Sequence, residues 1–225
     1  GRLGAVRFKS STGITYHELE ERYDATPPDG EPRLFLQQND TEMIANETRL
    51  WRPLEDRFGW LLGVSYTHNR TELSRTLGSP EAADAVTGVT NIVDEITLFG
   101  EGSFRLAPGL IATAGGRFNR TRLSGRGEDV APSLAMRFGD VTATRVEEEL
   151  LPSASITAQV LPETTLYLRY QEGFRPGGLA IAGDFVSRFR NDRIATFELG
   201  ARHGQPGQGP FDLAASIAHT RWSDI

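Results

Sequence analysis

The chain contains no cysteine in its 225 residues, which removes disulfides, zinc–thiolate sites and thiol catalysis from consideration. It also lacks any run of ~20 apolar residues, so it offers no candidate membrane helix. Its formal net charge of -6 is the opposite of the basic surface expected of a nucleic-acid binder. The four histidines, His17, His68, His203 and His219, have no metal-ligand spacing. Since no Ser/His/Asp arrangement is apparent either, we predict a protein that is not an enzyme and has neither metal nor cofactor.

The sequence instead shows repeated alternation of apolar and polar residues, which is the pattern of half-buried β-strands. Residues 60–69 are the clearest case, since Trp60, Leu62, Val64 and Tyr66 alternate with small or polar residues. Two less regular strands are predicted near 4–22 and 42–52, giving about nine strands in all. Similar alternation recurs in segments 95–106, 110–119, 149–160, 166–171, 196–202 and 211–220.

Short and long connections between the predicted strands alternate along the chain. Outer-membrane barrels have short periplasmic turns and longer extracellular loops, because successive connections emerge at opposite rims. A soluble β-sandwich has no reason to separate connections in this way. The pattern therefore predicts an all-β fold, an antiparallel up-and-down transmembrane β-barrel. The short turns are 52–57, 106–109, 161–164 and the slightly longer 204–209, and the long polar segments are 23–41, 75–91, 127–143 and 172–192.

Residues 166–178 read LYLRYQEGFRPGG, and this stretch resembles a barrel segment of the TonB-dependent receptors. Further segments resemble the same family in the same order, so that the resemblance covers roughly residues 40–225. These segments are ETRL at 47–50, LFGE at 98–101, AGGRF at 114–118, FELG at 197–200 and WSDI at 222–225.

The resemblance implies an outer-membrane protein of a Gram-negative bacterium. In this family a plug domain fills the barrel, and the TonB complex drives uptake of siderophore-bound iron, cobalamin, heme or an oligosaccharide. Since the chain shows neither a plug nor a TonB-contacting box, we expect residues 1–225 to be part of a single barrel domain. The plug and the C-terminal barrel strands would then lie outside it, and the isolated piece would be a curled open sheet. The expected partners are outer-membrane lipid, lipopolysaccharide, the plug, the TonB complex and a small ligand of unknown identity.

Five residues are candidate ligand contacts: Arg117, Arg169, Glu172, Phe174 and Arg175. Guanidinium groups suit carboxylates and phosphates, so the arginines indicate an anionic ligand such as a ferric siderophore. The last three residues belong to the motif at the end of a predicted strand. An architectural interpretation stands beside this one, because the glycines of the same motif permit the backbone to bend there.

Arginines also form two clusters in the sequence. We expect them to pair mainly with carboxylates inside the lumen, with contacts to lipopolysaccharide phosphates as the alternative. The long connections 75–91, 127–143 and 172–192 are predicted to form the ligand vestibule. Two other functions remain open, a plug-less outer-membrane porin or barrel and a soluble all-β binding module. The clusters are Arg117, Arg120, Arg122 and Arg126, and Arg175, Arg188, Arg190 and Arg193.

Overall fold

The computed structural model describes residues 1–79, 81–128, 142–182, 185–204 and 211–223, and this part of the chain contains strands and connections but no helix. One antiparallel sheet of 10 strands follows the order β1 to β8, then β11 and β12. β9 and β10 form a separate two-stranded hairpin. The predicted all-β, up-and-down antiparallel architecture is thereby confirmed. The strands are β1 (Arg2–Leu3), β2 (Val6–Asp24), β3 (Leu34–Arg52), β4 (Phe58–Ser79), β5 (Ala82–Ala107), β6 (Leu110–Glu128), β7 (Thr142–Leu161), β8 (Thr164–Arg175), β9 (Gly178–Ala182), β10 (Phe185–Phe189), β11 (Asp192–His203) and β12 (Leu213–Ser223).

Three predicted short turns are confirmed at one end of the sheet. They connect β3 to β4, β5 to β6 and β7 to β8. Gly109 and Glu163 take positive φ angles of 75° and 64° in the two tightest turns. Gly109 also accepts a backbone hydrogen bond of 2.7 Å from Gln159, which ties the second turn to β7. Of the fourth predicted turn, 204–209, all but residue 204 lies outside the described residues.

The long connections differ from the prediction because the strands extend through much of them. The prediction of a loop at 75–91 is wrong, since β4 continues to Ser79 and β5 starts at Ala82. The segment 23–41 shrinks to a connection at 25–33, and segment 172–192 contains the β9–β10 hairpin. The parts of the strands farthest from the short turns carry polar residues on both faces. The backbone hydrogen bonds between strands therefore continue there, although the sequence no longer alternates between apolar and polar residues. The core of segment 127–143 lies outside the described residues.

The connection 25–33 is closed by hydrogen bonds at its base. The backbone N–H of Thr26 donates to Asp24 Oδ1 over 2.9 Å, and the backbone N–H of Arg33 donates to Thr26 Oγ1 over 3.0 Å. The hydrogen bonds from Thr26 stabilise the carboxylate and lower the pKa of Asp24 below its usual value. The turn is therefore fixed by side-chain and backbone groups at the strand ends.

The register of the strands sorts side chains onto two faces. Val64, Leu98, Phe118 and Leu150 lie in one row across four strands and are 40%, 54%, 39% and 65% exposed. We call this side the apolar face, and the side that carries Ser65, Thr97, Asn119 and Glu149 the polar face. Most of the buried residues, such as Leu123 and Leu151, lie on the polar face. The molecule thus exposes its hydrophobic side, the reverse of a water-soluble sheet.

The apolar face is interrupted on β2 and β3. Ser10 Oγ and Thr48 Oγ1 lie 2.9 Å apart, and Asn46 Nδ2 donates to Thr12 Oγ1 over 2.8 Å. Because these polar groups bond to one another, their cost in an apolar environment is reduced.

Candidate functional site on the polar face

The apolar face ends at a line of charged or titratable residues that crosses the sheet. On β4 this face runs from Phe58 to Tyr66 before the first such residue, close to the ~9–11 residues that a membrane strand needs. The line lies nearer the short turns on β8 than on β4, as expected for strands that tilt relative to a barrel axis. We call this line the charged edge; it consists of His68, Asp94, Arg120, Glu148, Glu172 and Arg193.

The polar face of β5, β6 and β7 carries buried polar side chains. Thr97 and Thr121 are only 4% and 0% exposed, and both donate hydrogen bonds to the carboxylate of Glu95, over 3.0 and 3.2 Å. Asn119, 6% exposed, lies in the next row. A polar group that loses water needs such partners. The two threonine hydroxyls have them, whereas Asn119 Oδ1 has none among the described residues, so this part of the wall is polar rather than an apolar core.

The connection between β8 and β11 folds over this polar region. The β9–β10 hairpin contacts β5, and β9 also contacts β6. On one side of the hairpin, the backbone N–H of Gly177 donates to Glu147 Oε2 over 3.4 Å. On the other side, Asn191 Nδ2 donates to Glu149 Oε1 over 3.3 Å. Because Glu147 and Glu149 both belong to the polar face of β7, the connection lies on that face rather than away from the sheet.

Ion pairs hold the ends of the same connection. Arg175 on β8 pairs with Asp192 on β11, whose side chain is only 4% exposed. Arg193 donates from Nη2 to Glu172 over 2.5 Å and to the backbone oxygen of Leu150 over 3.1 Å. Arg193 thus links three strands at the point where the pairing of β7 with β8 ends above Ser153. The carboxylates here are matched by guanidinium groups, so the arrangement fixes the connection in place.

Two rings on the polar face pack against glycines of the neighbouring strand. Phe99 on β5 covers Gly63 on β4, and a Cβ built at Gly63 would lie 2.5 Å from Phe99 Cε2. Tyr167 on β8 covers Gly200 on β11 in the same way, and its hydroxyl donates to Glu198 Oε1 over 2.7 Å. The missing side chain of each glycine leaves the space that its partner ring occupies.

The five predicted contact residues do not share one face. Arg117, Arg169 and Arg175 lie on the polar face, and Arg169 is directly opposite Glu198. Glu172 and Phe174 occupy the alternate positions of β8, in register with Ala195 and Arg193 on the apolar side. The structure therefore places three of the five on one face, whereas Glu172 lies at the charged edge and Phe174 lies on the same side beyond it.

The expected pairing of arginines inside the lumen is wrong for three members of the first cluster. Arg117 lies on the polar face, but Arg120, Arg122 and Arg126 lie on the side of the apolar face, beyond Phe118. Arg120 does pair with a carboxylate, Glu148 at 3.0 Å, on that outer side. The prediction grouped the arginines by proximity in sequence, whereas alternate residues of a strand point in opposite directions.

Sequence reasoning missed the carboxylates that anchor the connection, Glu147 and Asp192, together with Arg145, which pairs with Glu147. The alternation of residues 147–150 could have identified Glu147, because it places Glu147 and Glu149 on one face of the strand and Glu148 on the other. Within the described ranges, no three His, Cys, Asp or Glu side chains are placed to hold a metal ion. The described residues also include no helix that is long and apolar enough to cross a membrane.

An antiparallel sheet with an exposed apolar face, a charged edge and short turns at one end is the wall of a transmembrane β-barrel. A family model, described as TonB dependent receptor-like, beta-barrel, matches residues 4–224. The chain therefore belongs to the TonB-dependent receptors, outer-membrane proteins of Gram-negative bacteria that are receptors rather than enzymes. This family assignment confirms the predicted resemblance and location, and it rules out the soluble binding module.

Solved structures show the same fold at low sequence identity. The ferric yersiniabactin uptake receptor FyuA from Yersinia pestis has a TM-score of 0.69 and 15% identity, covering 96% of this chain and 34% of that one. The ferric-catecholate import receptor Fiu from E. coli K12 has a TM-score of 0.70 and 12% identity, covering 97% and 38%. The ferripyoverdine receptor of Pseudomonas aeruginosa has a TM-score of 0.65 and 12% identity, covering 96% and 30%.

The chain thus spans about a third of the length of these solved receptors. No curated protein sequence matches it.

Proposed function

We propose that this chain is a continuous part of the barrel wall of a receptor that imports a nutrient ligand, with siderophore-bound iron as the leading candidate. The observation that carries the proposal is the connection 176–191, held over the polar face by Glu147, Glu149 and Asp192. A loop folded into a wide lumen narrows it and presents groups to a ligand. The similar solved receptors handle ferric yersiniabactin, ferric catecholates and ferripyoverdine. Cobalamin, heme and oligosaccharides are the other ligand classes to test.

In this proposal the apolar face contacts lipid and the polar face lines the lumen. The short turns lie in the periplasm, and the β9–β10 hairpin lies on the extracellular side. Residues 1–225 form part of a single barrel domain, and the plug and the remaining strands belong to the rest of a longer protein. The plug would contact the polar face, the TonB complex would act through the plug region, and lipid and lipopolysaccharide would surround the outside.

Arg117, Arg169 and Arg175 are the proposed contacts for an anionic ligand within the lumen. Arg117 and Arg169 are exposed on the polar face, and their forked donors match carboxylate or catecholate oxygens. Glu172 and Phe174 lie at the end of β8 that leads into the connection, and they affect ligand binding by positioning this connection. Glu172 does so by holding Arg193, which links β7, β8 and β11.

The test uses the full-length receptor in its own bacterium. Deletion of the gene should abolish uptake of radiolabelled iron carried by one member of a siderophore panel, and the wild-type gene should restore it. If deletion leaves uptake of every siderophore, cobalamin, heme and oligosaccharide unchanged, the proposed function is wrong.

A matched pair of variants tests the assignment of faces. Arg117→Gln should weaken ligand binding by about 10–100-fold, the effect of losing hydrogen bonds to a charged group. Arg120→Gln, three residues away on the same strand but on the other face, should leave ligand binding unchanged. Equal effects of the two substitutions would overturn the role of Arg117 without affecting the proposal of ligand import.

A further inference from the structure

Two glycines of the motif at 172–178 differ in the space around them. A Cβ built at Gly173 meets no atom within 4 Å, so this position has room for a side chain. A Cβ built at Gly177 would lie 2.7 Å from the carbonyl oxygen of Phe189 and would overlap the guanidinium group of Arg145. Gly177 is therefore tightly packed on two sides, whereas Gly173 is open.

The requirement at Gly177 is for space and not for an unusual backbone angle. Gly109 and Gly204 take positive φ angles of 75° and 79°, which favour glycine, but Gly177 does not take such an angle. Close approach of the backbone to other groups is the second reason for a glycine, and it is the one that applies at Gly177. A methyl group added there would have to displace its neighbours.

One set of groups against Gly177 belongs to the polar face of β7. Glu147 Oε2 accepts the backbone N–H of Gly177 over 3.4 Å, and the other oxygen of Glu147 forms an ion pair with Arg145. The side chain of Glu147 is only 7% exposed, whereas that of Arg145 is 42% exposed. A carboxylate this deeply buried depends on a cation beside it, so Arg145 allows Glu147 to stay charged and to hold the connection.

The contact at Gly177 lies between two points that tie the strands of the connection together. Arg175 pairs with Asp192 on one side of it. On the other side, Gly178 at the start of β9 is in register with Phe189 at the end of β10. Because both strands are joined on either side of Gly177, a displacement there moves β9 and β10 together.

The polar face next to this contact is covered. Leu123 on β6 is directly in register with Arg145 and is only 6% exposed, although the sheet is a single layer. Val89 on β5, on the same face, is 4% exposed. The β9–β10 hairpin contacts β5, and β9 contacts β6, so part of this cover comes from the connection.

We propose that Gly177 and Arg145 are positioning residues that seat the connection 176–191 against β7 and thereby restrict access from outside the cell to the polar face of β5 and β6. The proposal rests on the proposed function, in which this face lines the lumen and the hairpin is extracellular. Neither residue has to contact the imported ligand. Gly177 acts by leaving room for Arg145, and Arg145 acts by stabilising Glu147.

The test measures how fast a water-soluble maleimide reacts with Leu123→Cys in the purified full-length receptor, with any other cysteine replaced. Because Leu123 is 6% exposed, the thiol should react slowly when no further substitution is present. Adding Gly177→Ala should raise the rate about tenfold or more, since the methyl group forces the connection away from Arg145. Gly173→Ala, four residues earlier in the same motif, is the matched control and should leave the rate unchanged.

Two substitutions of Arg145 separate the role of its charge from a general loss of packing. Arg145→Gln leaves Glu147 buried without a cation and should also raise the labelling rate of Leu123→Cys. Arg145→Lys keeps a cation beside Glu147 and should retain most of the slow rate. The urea midpoint of the barrel, followed by tryptophan fluorescence, should stay close to that of wild type in both variants, because the connection lies on the sheet and is not one of its ten strands.

An unchanged rate in Gly177→Ala or in Arg145→Gln would overturn the proposal, as would an equal increase in Gly173→Ala. Fast labelling of Leu123→Cys without any further substitution would overturn it too. The same reactions on intact cells should follow the same order, and no labelling of any variant there would overturn the access from outside. Since neither siderophore nor the TonB complex is used, these outcomes are independent of the uptake experiment.

Discussion

The Tyr167 ring covers Gly200, and we therefore predict that Gly200→Ala lowers the stability of the protein, the opposite of what strand propensity alone predicts. Replacing a strand glycine with alanine normally stabilises a protein by about 0.5–1 kcal/mol. At Gly200, a new Cβ would lie 2.5 Å from Tyr167 Cε1 and from its hydroxyl oxygen. The ring must move away, and it then loses its 2.7 Å hydrogen bond to Glu198. Overpacking and the lost bond to a charged group together predict a destabilisation of about 2–4 kcal/mol for Gly200→Ala.

The assay is urea unfolding of the full-length receptor refolded into lipid vesicles, followed by tryptophan fluorescence. Gly13→Ala is the matched control, because no atom lies within 4 Å of a Cβ built there in β2. The decisive comparison repeats Gly200→Ala in a Tyr167→Ser background. If the ring is the obstacle, the substitution should cost little in that background. An equal loss of stability with and without the ring would refute the steric explanation.

Two further predictions concern the ion pairs and the apolar face. Asp192→Asn removes the charge that pairs with Arg175, from a side chain that is only 4% exposed. The free energy of opening the β9–β10 hairpin should therefore fall by about 1–3 kcal/mol, measured as faster amide hydrogen exchange in β9 and β10. Unchanged exchange would show that the pair does not hold the connection. Leu168→Arg places a charge on the apolar face and should destabilise the inserted barrel by about 2–4 kcal/mol near the midplane in vesicle refolding titrations. Ser65→Arg, on the polar face, should have a much smaller effect, and equal effects would contradict the assignment of faces.

The alternation of residues was sufficient to predict the membrane part of the fold. Leu62 and Val64 lie on the exposed face, and Ser65 lies on the other, as the pattern at 60–69 indicated. The same logic failed at 75–91, because polar residues occupy both faces there: Thr87 and Thr90 are buried on opposite faces of β5, at 1% and 8% exposed. Glu72 and Arg75 are polar neighbours on opposite faces of β4, so the strand continues without a hydrophobic signal.

The candidate site was less predictable because its contacts are distant in sequence. Gly177 meets Glu147 across 30 residues, and Asn191 meets Glu149 across 42. The motif at 172–178 indicated that the strand end is special, but no local pattern shows that the connection folds back over the polar face. Assigning Arg117 and Arg120 to opposite faces required only the alternation already recognised in β6.

The central claim is that the apolar face contacts lipid and the polar face lines an aqueous lumen. Because these residues include no cysteine, single cysteines introduced here in the full-length receptor give unambiguous labels, provided any cysteine elsewhere is replaced. In outer membranes, Leu62→Cys should resist a water-soluble maleimide, and a fluorophore attached there after denaturation and refolding should be quenched by nitroxide lipids. Ser65→Cys, three residues away on the other face, should react readily with the maleimide and escape lipid quenching. The reverse pattern, or equal labelling of both positions, would contradict the assignment of lipid and lumen faces.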